Sequence, residues 1–258
     1  MFELSGKMFE QSSIYLSRRV IVGSIAATLV ACNAAEAQSK PSFEDLLGRL
    51  SRNPDLVEKS WAFRDRSVTQ GVPTGTPSSR QLNDSSKKLI INCEIASPTV
   101  YEQRYRRPIW PKGLSGVTIG VGYDLRFSNA AFLDRDWPQL AQADRDLLAK
   151  VVRLSGKEAQ KVLRSVSSVV IPWKQAEEQF LAFIPYPTKQ TEDAFPNCSS
   201  LSDDSFGALV SVVFNRGPQI PRNSDTRLEM YEIKQLMATN DPSQFAKIPG
   251  RGQPSGRR

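Results

Sequence analysis

Apolar and polar positions recur with helical spacing along most of the chain and alternate like a strand in one place only. Phe43, Leu46, Leu47 and Leu50 fall at i, i+3, i+4 and i+7, which predicts a short amphipathic helix over 42–51. Asn53-Pro54 interrupts it, and a second helical piece is expected from Asp55 to Arg64. Leu89, Ile90, Ile91 and Cys93 lie on a helix that Asp84-Ser85 can cap, with Glu94 at its far end and Pro98 stopping it. A turn-rich stretch, Tyr101 to Gly116, comes next. Val117, Ile119, Val121 and Tyr123 then alternate with Thr118, Gly120, Gly122 and Asp124, a strand pattern of period two. Beyond it the pattern is helical again. Leu140, Leu147, Leu148, Val151 and Val152 mark one or two helices, 156–166 another, and Ala176, Phe180, Leu181 and Ile184 a further one within 171–184. Phe206, Leu209, Val210, Val213 and Phe214 form an unbroken stripe behind the caps Asp203 and Asp204, ended by Gly217. Asp225 is expected to cap a last helix through Leu228, Tyr231, Leu236 and Met237.

One small β element among helices makes this an α+β chain. Gln70 to Ser86 is rich in Gly, Pro, Ser and Thr and reads as a linker, so 38–84 is expected to be a short helical segment plus linker. The main domain then runs from 85 to 249. Residues 1–37 read as an export signal: Ser17-Arg18-Arg19 is positive, Val20 to Ala31 is apolar, and Ala35-Glu36-Ala37 is an A-x-A cleavage site. The Arg pair resembles a twin-arginine signal, and Leu29-Val30-Ala31-Cys32 a lipobox that would acylate Cys32. Lipid-anchored and freely secreted forms both remain open. No stretch reaches the ~20 apolar residues of a membrane span.

Composition narrows the chemistry. The 258 residues include no histidine and three cysteines, which excludes Ser-His-Asp and Cys-His nucleophile systems and imidazole metal sites. No metal or cofactor is expected, so an enzyme would rely on carboxylates, hydroxyls or cysteines. The net charge is +7. It is partly a tail effect, with Lys247, Arg251, Arg257 and Arg258 near the end. An exported basic protein meets acidic envelope polymers more readily than nucleic acid. In an oxidising compartment Cys93 and Cys198 are candidates for a disulfide worth about 4 kcal/mol; two separate buried thiols are the alternative.

Glu94 stands at the end of an apolar helix, part desolvated and near the negative end of the helix dipole, a setting suited to a general acid. Thr118 and Asp124 share a strand face, yet six residues of straight strand would hold them about 20 Å apart. A three-residue turn at Gly120-Val121-Gly122 would instead pair Ile119 with Tyr123 and set Thr118 opposite Asp124. Glu94, followed by Thr118-Ile119-Gly120-Val121-Gly122-Tyr123-Asp124, resembles the active-site region of phage-type lysozymes, most closely the pesticin-like muramidases. Ala208-Leu209-Val210-Ser211-Val212-Val213-Phe214-Asn215-Arg216-Gly217 is similar to the A-L-x-S-x-x-F-N-x-G helix of those families. The resemblance covers roughly 88–249 and implies a lysozyme-like fold, mostly helical with one small β-hairpin lobe. It further implies hydrolysis of the β-1,4 bond between N-acetylmuramic acid and N-acetylglucosamine, with Glu94 as acid and Asp124 and Thr118 positioning water.

Tyr101, Tyr105 and Trp110, interleaved with Arg104, Arg106 and Arg107, are candidates to line a saccharide cleft, along with Gly120, Gly122, Asn215 and Arg216. Glu102 is the substitute carboxylate. The expected partner is the glycan strand of peptidoglycan, bound by a monomer; the alternative is a non-catalytic peptidoglycan-binding envelope protein. After Ile248-Pro249 the sequence departs from the resembled families, which continue into another helix. Gly250 to Arg258 offers no apolar residue for such a helix to bury and reads as a disordered basic tail.

Overall fold

In the computed structural model, residues 42–61, 75–222 and 227–239 are described. The export signal with Cys32, the first part of the linker, the Asp225 cap and the basic tail lie outside them. Helices α1 (Phe43–Arg52) and α2 (Pro54–Trp61) precede α3 (Asp84–Ile95) and α4 (Pro98–Arg104). A hairpin of β1 (Thr118–Ile119) and β2 (Tyr123–Asp124) runs into a 3-10 turn at Leu125–Phe127. The remaining helices are α5 (Ala130–Asp136), α6 (Gln142–Ala149), α7 (Gly156–Val162), α8 (Trp173–Phe183), α9 (Pro185–Ala194), α10 (Asp203–Arg216) and α11 (Leu228–Ala238). The α+β class therefore holds, as a mostly helical chain with one small antiparallel sheet. Among the described residues no helix is long and apolar enough to cross a membrane.

Local chemistry explains most element boundaries. Ser42 and Asp45 form a reciprocal capping box that opens α1. Asn83, one residue before the expected Asp84-Ser85, caps α3 by accepting from the Ser86 amide at 2.8 Å. Pro98 does separate two helices, but by starting the second: it takes the first turn of α4, where a missing N–H is harmless, behind the Ser97 cap. The first four residues of the stretch expected to be turns, Tyr101 to Arg104, are thus helix. Pro185 opens α9 in the same way, an element whose prolines and polar residues leave no apolar stripe. Ser202, just ahead of the expected aspartates, caps α10.

The centre of the fold is the pair α3 and α10. Gly207 lies so close to Ser86 that a Cβ would sit 1.8 Å from the Ser86 hydroxyl. At the helix starts, Asn83 Nδ2 donates to Asp204 Oδ1 at 2.7 Å, and at the ends Asn215 meets Glu94; both contacts join residues 121 apart in sequence. Ser86 and Gly207 share that offset. A constant offset means that the helices run parallel and in register, and the eight residues from Ser86 to Glu94 carry it about 12 Å along the axis. Phe206, Leu209, Val210 and Val213 bury the apolar stripe of α10.

Helices α1 and α2 pack on α3 from the other side. Leu47, Leu50, Val57 and Trp61 are buried in the same core, and Asn92 and Ser51 lie 3.0 Å apart in a hydrogen bond. The core therefore runs across the boundary expected near residue 84, because an amphipathic pair this short has to cover its apolar face on a neighbour. The proposed disulfide is not present. Cys93 is half-buried on α3, while the Cys198 thiol is held by the carbonyl oxygens of Phe195 and Thr191 and is not joined to it. Burial pushes the Cys198 thiol up to about 11, so it stays protonated at neutral pH.

Two outcomes test this packing. Gly207→Ala should destabilise by about 1–3 kcal/mol through overpacking, read from urea denaturation. Adding Ser86→Gly should recover most of the loss in a double-mutant cycle. With Cys32 replaced by Ser, Ellman's reagent should count two thiols in the unreduced, denatured chain, and in the folded chain Cys198 should react last. A count of zero would establish the bridge.

Candidate active site

The hairpin has the register that the glycines imply. Thr118 pairs with Asp124 and Ile119 with Tyr123, and the turn places Gly120 at φ 56° and Gly122 at φ 74°. These left-handed angles favour glycine, and two contacts require it as well. A Cβ on Gly120 would lie 2.4 Å from the Trp137 ring, and one on Gly122 would lie 2.5 Å from Glu94 Oε2. The hairpin is pinned from below by Trp137 and Tyr123, whose rings meet edge to face at 5.7 Å. The Tyr123 hydroxyl donates to Asp136 at 2.7 Å. Burial, reinforced by that carboxylate, raises the Tyr123 phenol far above its ordinary value.

Glu94 sits in the last turn of α3, 2% exposed. Its Oε2 lies against the backbone of Gly122, and its Oε1 accepts from Asn215 Nδ2 at 3.0 Å. The carboxylate is thus held between a turn with no side chain and an amide at the end of α10. Behind Asn215, the buried Arg227 guanidinium donates to the carbonyls of Arg216, Gly217 and Gln219. Those are oxygens at and just past a helix C-terminus, which have no intrahelical donor. Arg227 was not singled out in the sequence because a lone arginine after a loop carries no pattern.

Glu94, Thr118, Gly120 and Gly122 line one pocket. Ile95, Ile109 and Pro111 give it apolar walls, and Tyr105 and Trp61 complete it. Ile109 is held there by a bridge to Thr118, with hydrogen bonds of 2.8 and 3.0 Å. Trp61 belongs to α2, a segment that sequence reasoning left without a role. Its one available signal was a tryptophan in an amphipathic helix, which ordinary core packing explains equally well.

Asp124 is next to the pocket but is not among its lining residues. Its carboxylate accepts from the Gly116 amide at 3.1 and 3.2 Å and from the Arg126 amide at 2.9 Å, capping the 3-10 turn. Arg126 Nη2 adds a charge contact at 3.5 Å. Gly116 has to be glycine here, since a Cβ would fall 2.4 Å from Asp124 Oδ1. Thr118 lies directly across the hairpin, its hydroxyl donating to the Gly116 carbonyl at 3.4 Å.

Other candidates lie elsewhere. Tyr101 is fully buried, its hydroxyl donating to the Ile171 carbonyl, so it belongs to the core and not to a cleft. Trp110 lies outside the pocket lining and donates to the Ser115 carbonyl at 3.1 Å. Arg216 pairs with Glu229 at 3.9 Å. The arginines near Tyr105 face local partners: Arg104 binds Asp55 and Glu58, Arg106 binds Glu102, and Arg107 the Ser167 carbonyl. Glu102 also accepts from the Trp173 amide at the start of α8, which makes it a helix cap and removes it as a spare catalytic carboxylate. Among the described residues no group of histidine, cysteine, aspartate or glutamate is arranged to hold a metal ion.

No family model matches the chain, and neither a curated protein nor a solved structure matches it.

Gly122→Ala should cost about 1–3 kcal/mol, from a left-handed side chain and its clash with the carboxylate. In a Glu94→Ala background the penalty should shrink, leaving the backbone share. Gly75→Ala, where the added carbon meets nothing within 4 Å, should be silent in the same urea series.

Proposed function

We propose that this protein is an exported muramidase, cleaving the β-1,4 bond between N-acetylmuramic acid and N-acetylglucosamine in peptidoglycan. The observation that carries the reading is the placement of Glu94, a buried carboxylate at the edge of a pocket, cradled by Gly122 and oriented by Asn215. A general acid needs such a fixed position beside the leaving oxygen. Glu94 donates its proton to the glycosidic oxygen as the bond breaks. Asp124, with Thr118 across the hairpin, orients the water that attacks the opposite face of the sugar, and the anomeric centre inverts.

Asp124 follows two residues after Gly122, against which Glu94 packs, and the inverting scheme requires the two carboxyl groups to stand about 6.5–9.5 Å apart, with room for water between them. The apolar walls and the aromatic residues Trp61 and Tyr105 suit a sugar ring. Export is supported by the Arg pair, apolar run and A-x-A site within 1–37, with anchoring through Cys32 or release as its two forms.

A second reading is a glycan-binding envelope protein that cuts nothing. It is favoured by the occupied state of Asp124, whose oxygens already accept from the Gly116 and Arg126 amides. Purified 38–258 and its Glu94→Gln variant, incubated with peptidoglycan, separate the two. The muramidase reading expects new reducing ends from the parent and a loss of about 10²–10⁴-fold in the variant, with sedimentation on peptidoglycan kept by both. If both sediment and neither releases reducing ends, the binding reading replaces it.

A further inference from the structure

Lys112, Arg153, Asn197 and Ala96 are the non-glycine residues with a left-handed φ among the described residues; the first three are exposed, and Ala96 alone is buried. It follows Glu94 by two positions. Its angles, φ 65° and ψ −50°, differ from those of a left-handed helix cap, in which ψ is positive. They belong to the rarer and strained form of γ-turn. Accordingly, the Ser97 amide donates back across Ala96 to the Ile95 carbonyl at 2.8 Å. A β-carbon makes this conformation costly, and it persists only where the surroundings impose it.

The turn lets α3 pass to α4 through Ala96 and Ser97 alone, but a glycine would make that connection without strain. Alanine adds stiffness at the helix end. The last turn of a helix frays because its carbonyls lack intrahelical donors, and Glu94 stands in that turn. In α3 the end is closed. The Ala96 amide donates to the Asn92 carbonyl at 3.1 Å, and the Asn92 side chain, 2% exposed, closes the turn from the side. In the orientation that satisfies its contacts, Asn92 Nδ2 donates to the carbonyls of Ala96 at 3.1 Å and Lys88 at 3.3 Å. Its Oδ1 accepts from the Ser51 hydroxyl of α1 at 3.0 Å. The clasp thus runs from α1 through Asn92 to the carbonyl of the strained residue.

We infer that Ala96 and Asn92 are positioning residues: the strained turn, clasped by Asn92 and Ser51, keeps the end of α3 wound so that the Glu94 carboxylate stays between Asn215 and Gly122. Both of those contacts belong to other elements, α10 and the hairpin. A helix rotates about 100° per residue, so unwinding at Ile95 and Ala96 would swing the carboxylate off them. The catalytic part of this inference rests on the muramidase reading, with Glu94 as the acid. The device also gives α1 a role, as the outer link of the clasp.

The test compares 38–258 with its Ala96→Gly variant, which adopts the same turn freely and so keeps the fold. In urea the folding constant should stay within about fivefold of the parent, because relief of strain offsets the lost methyl and the added chain freedom. Hydrogen exchange at the amides of Ile95 and position 96 should quicken about tenfold. The Asn215 side-chain amide resonances, which report the bond to Glu94, should shift. On peptidoglycan kcat should fall about tenfold or more, with KM unchanged. Ser51→Ala, made away from the site, should move exchange, resonances and kcat the same way by less. Faster exchange with the Asn215 resonances in place would make the turn a connector only and overturn the inference. Unchanged exchange, a folding constant more than tenfold lower, or full cleavage despite shifted resonances would overturn it too. A parent that releases no reducing ends sinks the muramidase reading, while exchange and the Asn215 resonances still decide whether the turn positions Glu94.

Discussion

The structure depends on how closely α3 and α10 approach. Gly207 gives up its side chain so that the Ser86 hydroxyl can lie where a Cβ would be. That contact sets the register of two parallel helices, and register decides what meets about two turns further on. With the offset kept, the amide of Asn215 arrives at the carboxylate of Glu94. A helix is stiff along its axis, so an error at the Ser86 end would be carried to the Glu94 end without correction. Arg227 then secures the far end of α10 by binding the carbonyls that the helix leaves without donors. A fully buried charge is tolerable there because several oxygens share it.

The hairpin answers to that helix end. Its glycines are needed for what they let approach: Trp137 under Gly120, Glu94 against Gly122, and the Asp124 carboxylate against Gly116. Each contact forbids a side chain, and together they hold a short sheet that could not stand alone. Asp124 serves the turn first, since two backbone amides and a guanidinium address it. A group with such local duties is well positioned, and the same bonds set how freely it can engage water. In the proposed reading the choice between cutting and binding glycan turns on that residue, while Glu94 accepts from Asn215.

Helices α1 and α2 extend the core and complete the pocket, which gives a sequence segment of unremarkable composition a direct place beside Glu94. The arginines that look like a cationic face are drawn into pairs with Asp55, Glu58 and Glu102. Exposed pairs of this kind contribute little stability. They do fix Tyr105 and α2 relative to each other, and so hold the aromatic wall in place. The pocket presents apolar and aromatic surface around one carboxylate, a surface suited to a neutral sugar better than to a polyanion.

Several features were legible without coordinates because they depend on residues near one another in sequence. Period-two alternation broken by Gly120 and Gly122 specified a hairpin and its register, since turn length and side-chain alternation leave one pairing that keeps Ile119 and Tyr123 inward. The stripe of α10 and the start of α1 were equally local. Proline misled where its position mattered more than its presence, so that α4 begins at Pro98, a residue that read as a stop. Tertiary packing alone decided the rest. Nothing in the sequence reports that Tyr101 points into the core while Tyr105 faces the pocket, that Cys93 and Cys198 lie apart, or that Glu102 caps a distant helix. Those outcomes are set by contacts between residues far apart along the chain, and a pattern of local spacing carries no information about which distant surfaces will meet.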